Sequence, residues 1–205
     1  MYVKICGISD PSMARFAVDR GADAVGVVMS ERSPRHAAPA VARSVVAAAH
    51  DAAASTDTVL VVREMPAAEA AATALRLGFD VLQLHGKYSA ADFAAALEII
   101  PRVWRATSLV TEPDVRAGDL GEELLLLDGA AAGSGETWDL STIDRARIGD
   151  RWLLAGGLDP RTVGPAVDLA RPWGVDVSSG VESSPGLKDR DLIARFLAAA
   201  RPARD

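Results

Sequence analysis

Short β-branched or leucine-rich runs alternate with longer alanine-rich amphipathic runs from one end of this chain to the other, and the unit repeats eight times. The apolar runs predict strands near Val3–Cys6, Ala24–Val28, Thr58–Val62, Val81–His85, Val103–Ala106, Glu123–Asp128, Trp152–Ala155 and Gly174–Ser178. Helices are predicted near Pro11–Arg20, Pro39–Ala53, Ala67–Leu77, Ala90–Ile100, Glu112–Ala117, Ser141–Arg147, Arg161–Ala170 and Asp189–Ala200. Several begin at Pro, Ser, Thr or Asp, the residues that favour a helix N-terminus. Strands that alternate with helices are joined by crossovers and run parallel, and eight such units closing on themselves make a single-domain α/β fold, the (β/α)8 TIM barrel. An open doubly wound sheet is the competitor, but no Gly-x-Gly-x-x-Gly follows the first strand and the eight units are similar in length.

At 205 residues, 49% of them apolar, the chain suits one domain over residues 1–205, because barrels of roughly 200 to 250 residues commonly form single domains. No apolar run approaches the roughly 20 residues a membrane span requires, and the N-terminus lacks the basic-then-apolar pattern of a signal peptide. The net charge of −6 arises from interspersed acidic and basic residues, without a basic stripe for a phosphate backbone. These features predict a cytoplasmic, soluble protein that binds neither nucleic acid nor membrane. The outer helices offer no distinct apolar patch, which favours a monomer and leaves a homodimer open.

Catalytic groups in such barrels come from the C-terminal ends of the strands and the loops after them. Those ends carry Cys6, Met29, Gln83 with His85, Arg105, Asp128, Gly156-Gly157 and Ser178-Ser179-Gly180, with Arg35 in the loop after the second strand. Because side chains alternate along a strand, Lys4 and Cys6 point together into the barrel while Val3 and Ile5 face the helices. Cys6 is the only cysteine, so no internal disulfide forms. It is a candidate nucleophile or base, although an inert buried thiol is the alternative. An ordinary thiol, with a pKa of about 8.5, is only slightly ionised at neutral pH and needs a neighbouring positive charge. Lys4 is the obvious source, but closure of the barrel brings Asp176 beside it, and a structural Lys4–Asp176 pair is expected because a buried unpaired ammonium is costly.

Asp128 ends the apolar run Leu124-Leu125-Leu126-Leu127. Desolvation there raises a carboxyl pKa, which suits a general acid; a helix or loop cap is the alternative. The loops Gly156-Gly157-Leu158 and Ser178-Ser179-Gly180 offer backbone amides that can approach a phosphate, with help from the N-terminus of a short extra helix. Arg35 could grip a carboxylate with its planar fork or be a solvated surface residue. His85 points inward as a ligand or as a hydrogen-bonded core residue. With three histidines and no paired carboxylates at strand ends, no metal site is expected.

Lys4-Ile5-Cys6-Gly7-Ile8, Gly21-Ala22-Asp23-Ala24-Val25-Gly26, Ser33-Pro34-Arg35, Gln83-Leu84-His85-Gly86, Leu127-Asp128, Gly133-Ser134-Gly135, Gly156-Gly157-Leu158 and Val175-Asp176-Val177-Ser178-Ser179-Gly180-Val181-Glu182 together resemble the phosphoribosylanthranilate isomerase family. The resemblance spans essentially the whole chain. It implies a (β/α)8 barrel that isomerises N-(5-phosphoribosyl)anthranilate by an Amadori rearrangement, in the third step of tryptophan biosynthesis, without a cofactor. It further implies Cys6 as general base, Asp128 as general acid, Arg35 on the anthranilate carboxylate, His85 at the aromatic end, and the two glycine-containing loops on the phosphate.

Two stretches depart from the family pattern. Glu136 stands where a lysine is common, and Val61-Val62-Arg63-Glu64 replaces a more usual Phe-Val-Asn at the end of the third strand. The histidine-pathway isomerase would carry aspartates at the ends of strands one and five, where this chain has Cys6 and Val103-Trp104-Arg105-Ala106-Thr107. A metal-dependent pentose-phosphate epimerase, a non-catalytic phosphate-binding barrel and a thiol redox sensor are the remaining competitors.

Overall fold

In the computed structural model, which describes residues 1–129, 140 and 143–201, eight parallel strands close into a barrel in the order of the chain. They are β1 (Tyr2–Cys6), β2 (Ala24–Val28), β3 (Asp57–Val62), β4 (Val81–His85), β5 (Val103–Thr107), β6 (Leu124–Leu127), β7 (Trp152–Leu154) and β8 (Gly174–Val177). The barrel closes where β8 pairs with β1, placing Lys4 in register with Asp176.

Each strand is buried on both faces, which is why the strands read as near-continuous apolar runs rather than as alternating ones. The interior is filled by Ala24, Val28, Val59, Val61, Val81, Trp104, Ala106, Leu124, Leu126 and Leu153, with Cys6 near the top. The opposite parity, including Val3, Ile5, Leu60, Leu82, Leu125 and Val175, packs against the outer helices. At the floor, Tyr2 meets Trp104 edge-on and stacks on Trp173 at 4.7 Å between ring centroids.

The outer layer comprises α1 (Pro11–Asp19), α2 (Pro39–Ala52), α3 (Ala67–Leu77), α4 (Ala90–Leu97), α5 (Arg145–Ile148), α6 (Val163–Ala170) and α7 (Arg190–Ala200). Local chemistry sets several of their ends. Asp10 caps α1 ahead of Pro11, Ser89 and Asp92 form a capping box on α4, and Gly78 ends α3 in the left-handed region at φ 85°.

The helix expected over Glu112–Ala117 does not form: residues 108–123 cross from β5 to β6 through turns. Gly118 and Gly121 adopt φ 90° and 80°, Val115 alone of residues 112–117 is buried, and the Glu112 carboxylate is drawn back to Arg105 and Thr107. A stretch with one buried apolar side chain has no stripe to hold a helix against the barrel. The helix expected over Ser141–Arg147 is shorter, the four residues of α5, and Ser141 lies outside the described residues. The Gly133-Ser134-Gly135 motif and Glu136 also lie outside them.

An unanticipated hairpin, β9 (Glu182–Ser184) and β10 (Leu187–Lys188), follows a 3₁₀ turn at Ser179–Val181. Among the described residues no helix is long and apolar enough to cross a membrane.

Candidate active site

The strand ends bring most of the expected residues to one place. Cys6, Arg35, His85, Asp128 and Ser178 line a single cavity of about 110 Å³, together with Gln83 and Asp176. Gly156 packs against Asp128 but lines a different cavity, with Leu158, Arg161 and Thr162; Ser179 lines a third, with Arg35 and Glu182, and Gly157 and Gly180 lie on the loops after β7 and β8. Two further strand-end candidates do not join the first cavity: Arg105, which its parity turns outward to pair with Glu112, and Met29, which packs in the core between the barrel and the helices.

Cys6 is 7% exposed, and room for it is made by Gly26, its register partner on β2. A Cβ on Gly26 would lie 2.9 Å from the Cys6 sulfur and 3.1 Å from Lys4 Cε. The absence of that carbon lets the thiol and the lysine stem share the top of the barrel. Lys4 is fully buried and donates to Asp176 Oδ1 at 2.8 Å. Burial disfavours its charge, yet Asp176 and the thiol together hold the ammonium pKa above its ordinary value. Burial pushes the Cys6 thiol up, and attraction from Lys4 and Lys188 opposes that push while Asp176 reinforces it. The expected Lys4–Asp176 pair is therefore present, and it does not remove Lys4's influence from the thiol, whose ionised form the ammonium still favours.

Lys188, on β10, is the second cation near the thiol and was not singled out from the sequence. It is 6% exposed and donates to Ser178 O at 2.9 Å, Ser178 Oγ at 3.3 Å and Glu182 Oε1 at 2.6 Å. Burial holds its pKa below the usual lysine range, and Glu182 counteracts this. No local spacing around Gly186-Leu187-Lys188 marks it, because the hairpin alone turns it back to the barrel mouth. Glu182 also holds Arg35, accepting from Nε at 2.7 Å and from Nη2 at 2.8 Å. Gly7, at φ 76°, lets the Arg35 side chain pass: a Cβ there would sit 2.7 Å from Arg35 Cδ and 3.0 Å from Ser178 Oγ.

Asp128 follows β6 directly, its N–H bonded to Thr107 O. Burial, with repulsion from Asp176, raises its pKa to about 6 despite the Gly129 N–H donated to its Oδ1 at 2.9 Å. His85 Nε2 lies 3.9 Å from Asp128 Oδ2. Burial, with Arg63 and Lys4 nearby, lowers the imidazole pKa to about 4, so at neutral pH the ring is uncharged. Gln83 is 2% exposed and its Oε1 has no hydrogen-bond partner among the described residues. A carboxyl group that stays partly protonated near pH 6 and a thiol under the influence of two lysine charges thus face the same space, groups of the kind that can serve as acid and base.

The glycines after β7 and β8 fix the rest of the mouth. Gly156 has φ 84°, and a Cβ there would fall 2.4 Å from Gly129 N and 2.7 Å from Asp128 Oδ1. A Cβ on Gly180 would fall 1.8 Å from Leu158 O. These two loops are thus in backbone contact, and only glycine permits it. Among the described residues no cluster of three His, Cys, Asp or Glu side chains could hold a metal ion.

A closed (β/α)8 barrel whose strand ends turn a thiol, a carboxyl group and a neutral imidazole into one cavity is the architecture of a barrel enzyme. The model of the N-(5'phosphoribosyl)anthranilate (PRA) isomerase family matches residues 3–199. An N-(5'-phosphoribosyl)anthranilate isomerase from Acidithiobacillus ferrooxidans is 40% identical, over 97% of this chain and 97% of its own. The crystal structure of TrpF from Jonesia denitrificans is 50% identical with a TM-score of 0.88, covering 98% of this chain and 96% of that one. A phosphoribosyl anthranilate isomerase solved in complex with reduced 1-(o-carboxyphenylamino)-1-deoxyribulose 5-phosphate is 32% identical with a TM-score of 0.80, covering 98% of both chains. The chain belongs to the N-(5'-phosphoribosyl)anthranilate isomerase family.

Proposed function

We propose that this chain converts N-(5-phosphoribosyl)anthranilate to 1-(2-carboxyphenylamino)-1-deoxyribulose 5-phosphate, the third step of tryptophan biosynthesis from chorismate, with Asp128 as general acid and Cys6 as general base. The observation that carries the reading is that Cys6 and Asp128 face one cavity in environments that favour a protonated carboxyl group and a thiol with cations beside it.

Asp128 gives its proton to the furanose ring oxygen as the substrate nitrogen pushes the C1–O bond open, leaving an imine between C1 and nitrogen. The Cys6 thiolate then takes the proton from C2, and the C2–H electrons form a C1–C2 double bond while the imine electrons return to nitrogen. The resulting enolamine gains a proton at C1 and loses one from the C2 hydroxyl to give the aminoketose. The nitrogen is the electron sink throughout, so the chemistry calls for no cofactor. Acid and base each typically contribute about 10² to 10⁴ in rate.

Arg35 faces the anthranilate carboxylate and His85 lines the aromatic end. The phosphate sits on the backbone amides of the Gly156-Gly157 and Ser178-Ser179-Gly180 loops. The reaction takes place in the cytoplasm on a phosphorylated small molecule, in a monomer.

Loss of substrate fluorescence under wild type, Cys6→Ser and Asp128→Asn tests this reading. Wild type should turn the substrate over while each variant loses at least about 10² in kcat. Near-wild-type kcat in both variants would overturn the assignment of acid and base, and an inactive wild type would overturn the activity itself. A redox sensor built on Cys6 would instead keep ligand affinity in Cys6→Ser and lose only an oxidation response.

A further inference from the structure

Gln83 sits on β4 one pleat below His85, and it lines the same cavity as Cys6 and Asp128. It is buried, and a polar side chain is out of keeping with its surroundings. Val61 and Trp104 flank it in register on the neighbouring strands, and Leu126 shares the cavity wall. Its Oε1 has no hydrogen-bond partner among the described residues. A buried carbonyl oxygen left in that condition is destabilising, and an apolar side chain of similar shape would fill the position without the penalty.

The strong donors nearby are engaged elsewhere. Trp104 gives its indole N–H to Glu123, Lys4 gives its ammonium to Asp176 at 2.8 Å, and Arg35 gives Nε and Nη2 to the two oxygens of Glu182. An acceptor left over in the wall of a cavity that holds the proposed acid and base is matched by a hydroxyl group of a bound molecule.

The ring of strands says which hydroxyl group. β4 lies three places from β1 in a closed ring of eight, so Gln83 and Cys6 stand on nearly opposite walls. In the imine formed by the proposed activity, C2 carries both the proton that Cys6 takes and a hydroxyl group, and those two bonds diverge from a tetrahedral carbon. Turning the proton toward β1 turns the hydroxyl toward the far wall. Building on that activity, we infer that Gln83 accepts a hydrogen bond from the substrate's C2 hydroxyl through Oε1 and so holds C2 with its proton toward Cys6. As the C2–H bond breaks, the hydroxyl becomes enolic and a stronger donor, and the contact tightens toward the transition state. A neutral amide does this without adding a second carboxylate to oppose the thiolate, as Asp176 already does.

The test compares wild type with Gln83→Met, which keeps the length of the side chain and removes the amide. It reads turnover of phosphoribosylanthranilate, Tm of the free enzyme, and inhibition by two compounds. One is reduced 1-(o-carboxyphenylamino)-1-deoxyribulose 5-phosphate, which bears a C2 hydroxyl, and the other is its 2-deoxy analogue. Wild type should bind the hydroxyl compound roughly 5- to 10-fold more tightly than the analogue, the range for one neutral hydrogen bond. In Gln83→Met that preference should vanish, kcat should fall about tenfold with KM altered less, and Tm should hold or rise because an unpartnered acceptor is gone. Equal binding of the two compounds by wild type, a preference retained in Gln83→Met, or a kcat near that of wild type would overturn the inference. A lower Tm or a failure of Gln83→Met to fold would make Gln83 a structural residue and overturn it as well. Failure of the wild type to turn over phosphoribosylanthranilate would instead remove the activity on which the inference rests.

Discussion

Lys4 and Asp176, 172 residues apart, meet at 2.8 Å inside the barrel and in register across the β1–β8 seam. The contact closes the fold and sets the electrostatics of the thiol above it, because Lys4 draws the Cys6 thiolate toward stability while Asp176 opposes it. Removing one partner of such a pair leaves an uncompensated buried charge, which costs about 3–5 kcal/mol. Asp176→Asn should therefore lower the urea midpoint by several kcal/mol equivalents of stability while lowering kcat much less. The thiol pKa, followed by the pH dependence of its alkylation, should fall in that variant as the repulsion from Asp176 disappears. A large loss of kcat with little loss of stability would mean that Asp176 belongs to the chemistry.

The proposed acid and base titrate in an unusual order. Asp128 has a pKa of about 6, and the thiol lies above its ordinary value. The proposed mechanism needs the carboxyl protonated and the thiol ionised. Below pH 6 the carboxyl is protonated and kcat/KM climbs about tenfold per pH unit with the thiolate fraction. Above pH 6 the fall in protonated Asp128 cancels the gain in thiolate, giving a plateau that ends at the thiol pKa. A pH–rate profile without a break near 6 would sink this assignment.

Stability carries the same signature with its sign fixed by linkage. The folded pKa of Asp128 exceeds its unfolded value of about 4, so the folded state binds more protons and loses stability as pH rises from about 4 to 6. At pH 8 the ionised carboxylate costs up to about 3 kcal/mol relative to pH 3. Asp128→Asn should accordingly raise Tm at pH 8 and leave it nearly unchanged at pH 4, as read by thermal scans at the two pH values.

Gly26→Ala should displace the thiol or the Lys4 stem, since its Cβ would crowd both. Overpacking of this kind costs about 1–3 kcal/mol. The expected result is a lower Tm and a clear loss of kcat with little change in KM, because the crowding falls on the proposed base rather than on the mouth.

Gly156→Ala should act on Asp128, the proposed acid. Its Cβ would strike Gly129 N and Asp128 Oδ1, and the backbone there is in the left-handed region. A drop in kcat accompanied by displacement of the pH break from 6 is expected; a pure rise in KM would point to phosphate binding as the sole role of this loop.

Much of this site was legible in the residues themselves. Alternation along Val3-Lys4-Ile5-Cys6 put the lysine and the thiol on one face, and Asp128 at the end of a leucine run announced a desolvated carboxyl group, which is how it sits. Arg35 was legible as a mouth residue but not as the partner of Glu182, because their contact spans 147 positions and depends on the hairpin of β9 and β10. Lys188 was invisible for the same reason. The missing helix at residues 112–117 was misread because Pro113 and the acidic residues around it resemble a helix start, while the helix needs an apolar face that the segment lacks.

The sequence by itself determined the eight strands, their parallel order, the face each strand side chain takes, and the strand ends from which reactive groups emerge, since these follow from periodicity along a few consecutive residues. Only the tertiary structure decided which charges meet: Lys4 with Asp176, Arg35 and Lys188 with Glu182, and Arg63 with no partner among the described residues. Those pairings hang on barrel closure and on loop packing through Gly7, Gly26, Gly156 and Gly180. Coulomb interactions in a buried site are governed by distances of a few ångströms and by exclusion of water, neither of which local sequence encodes.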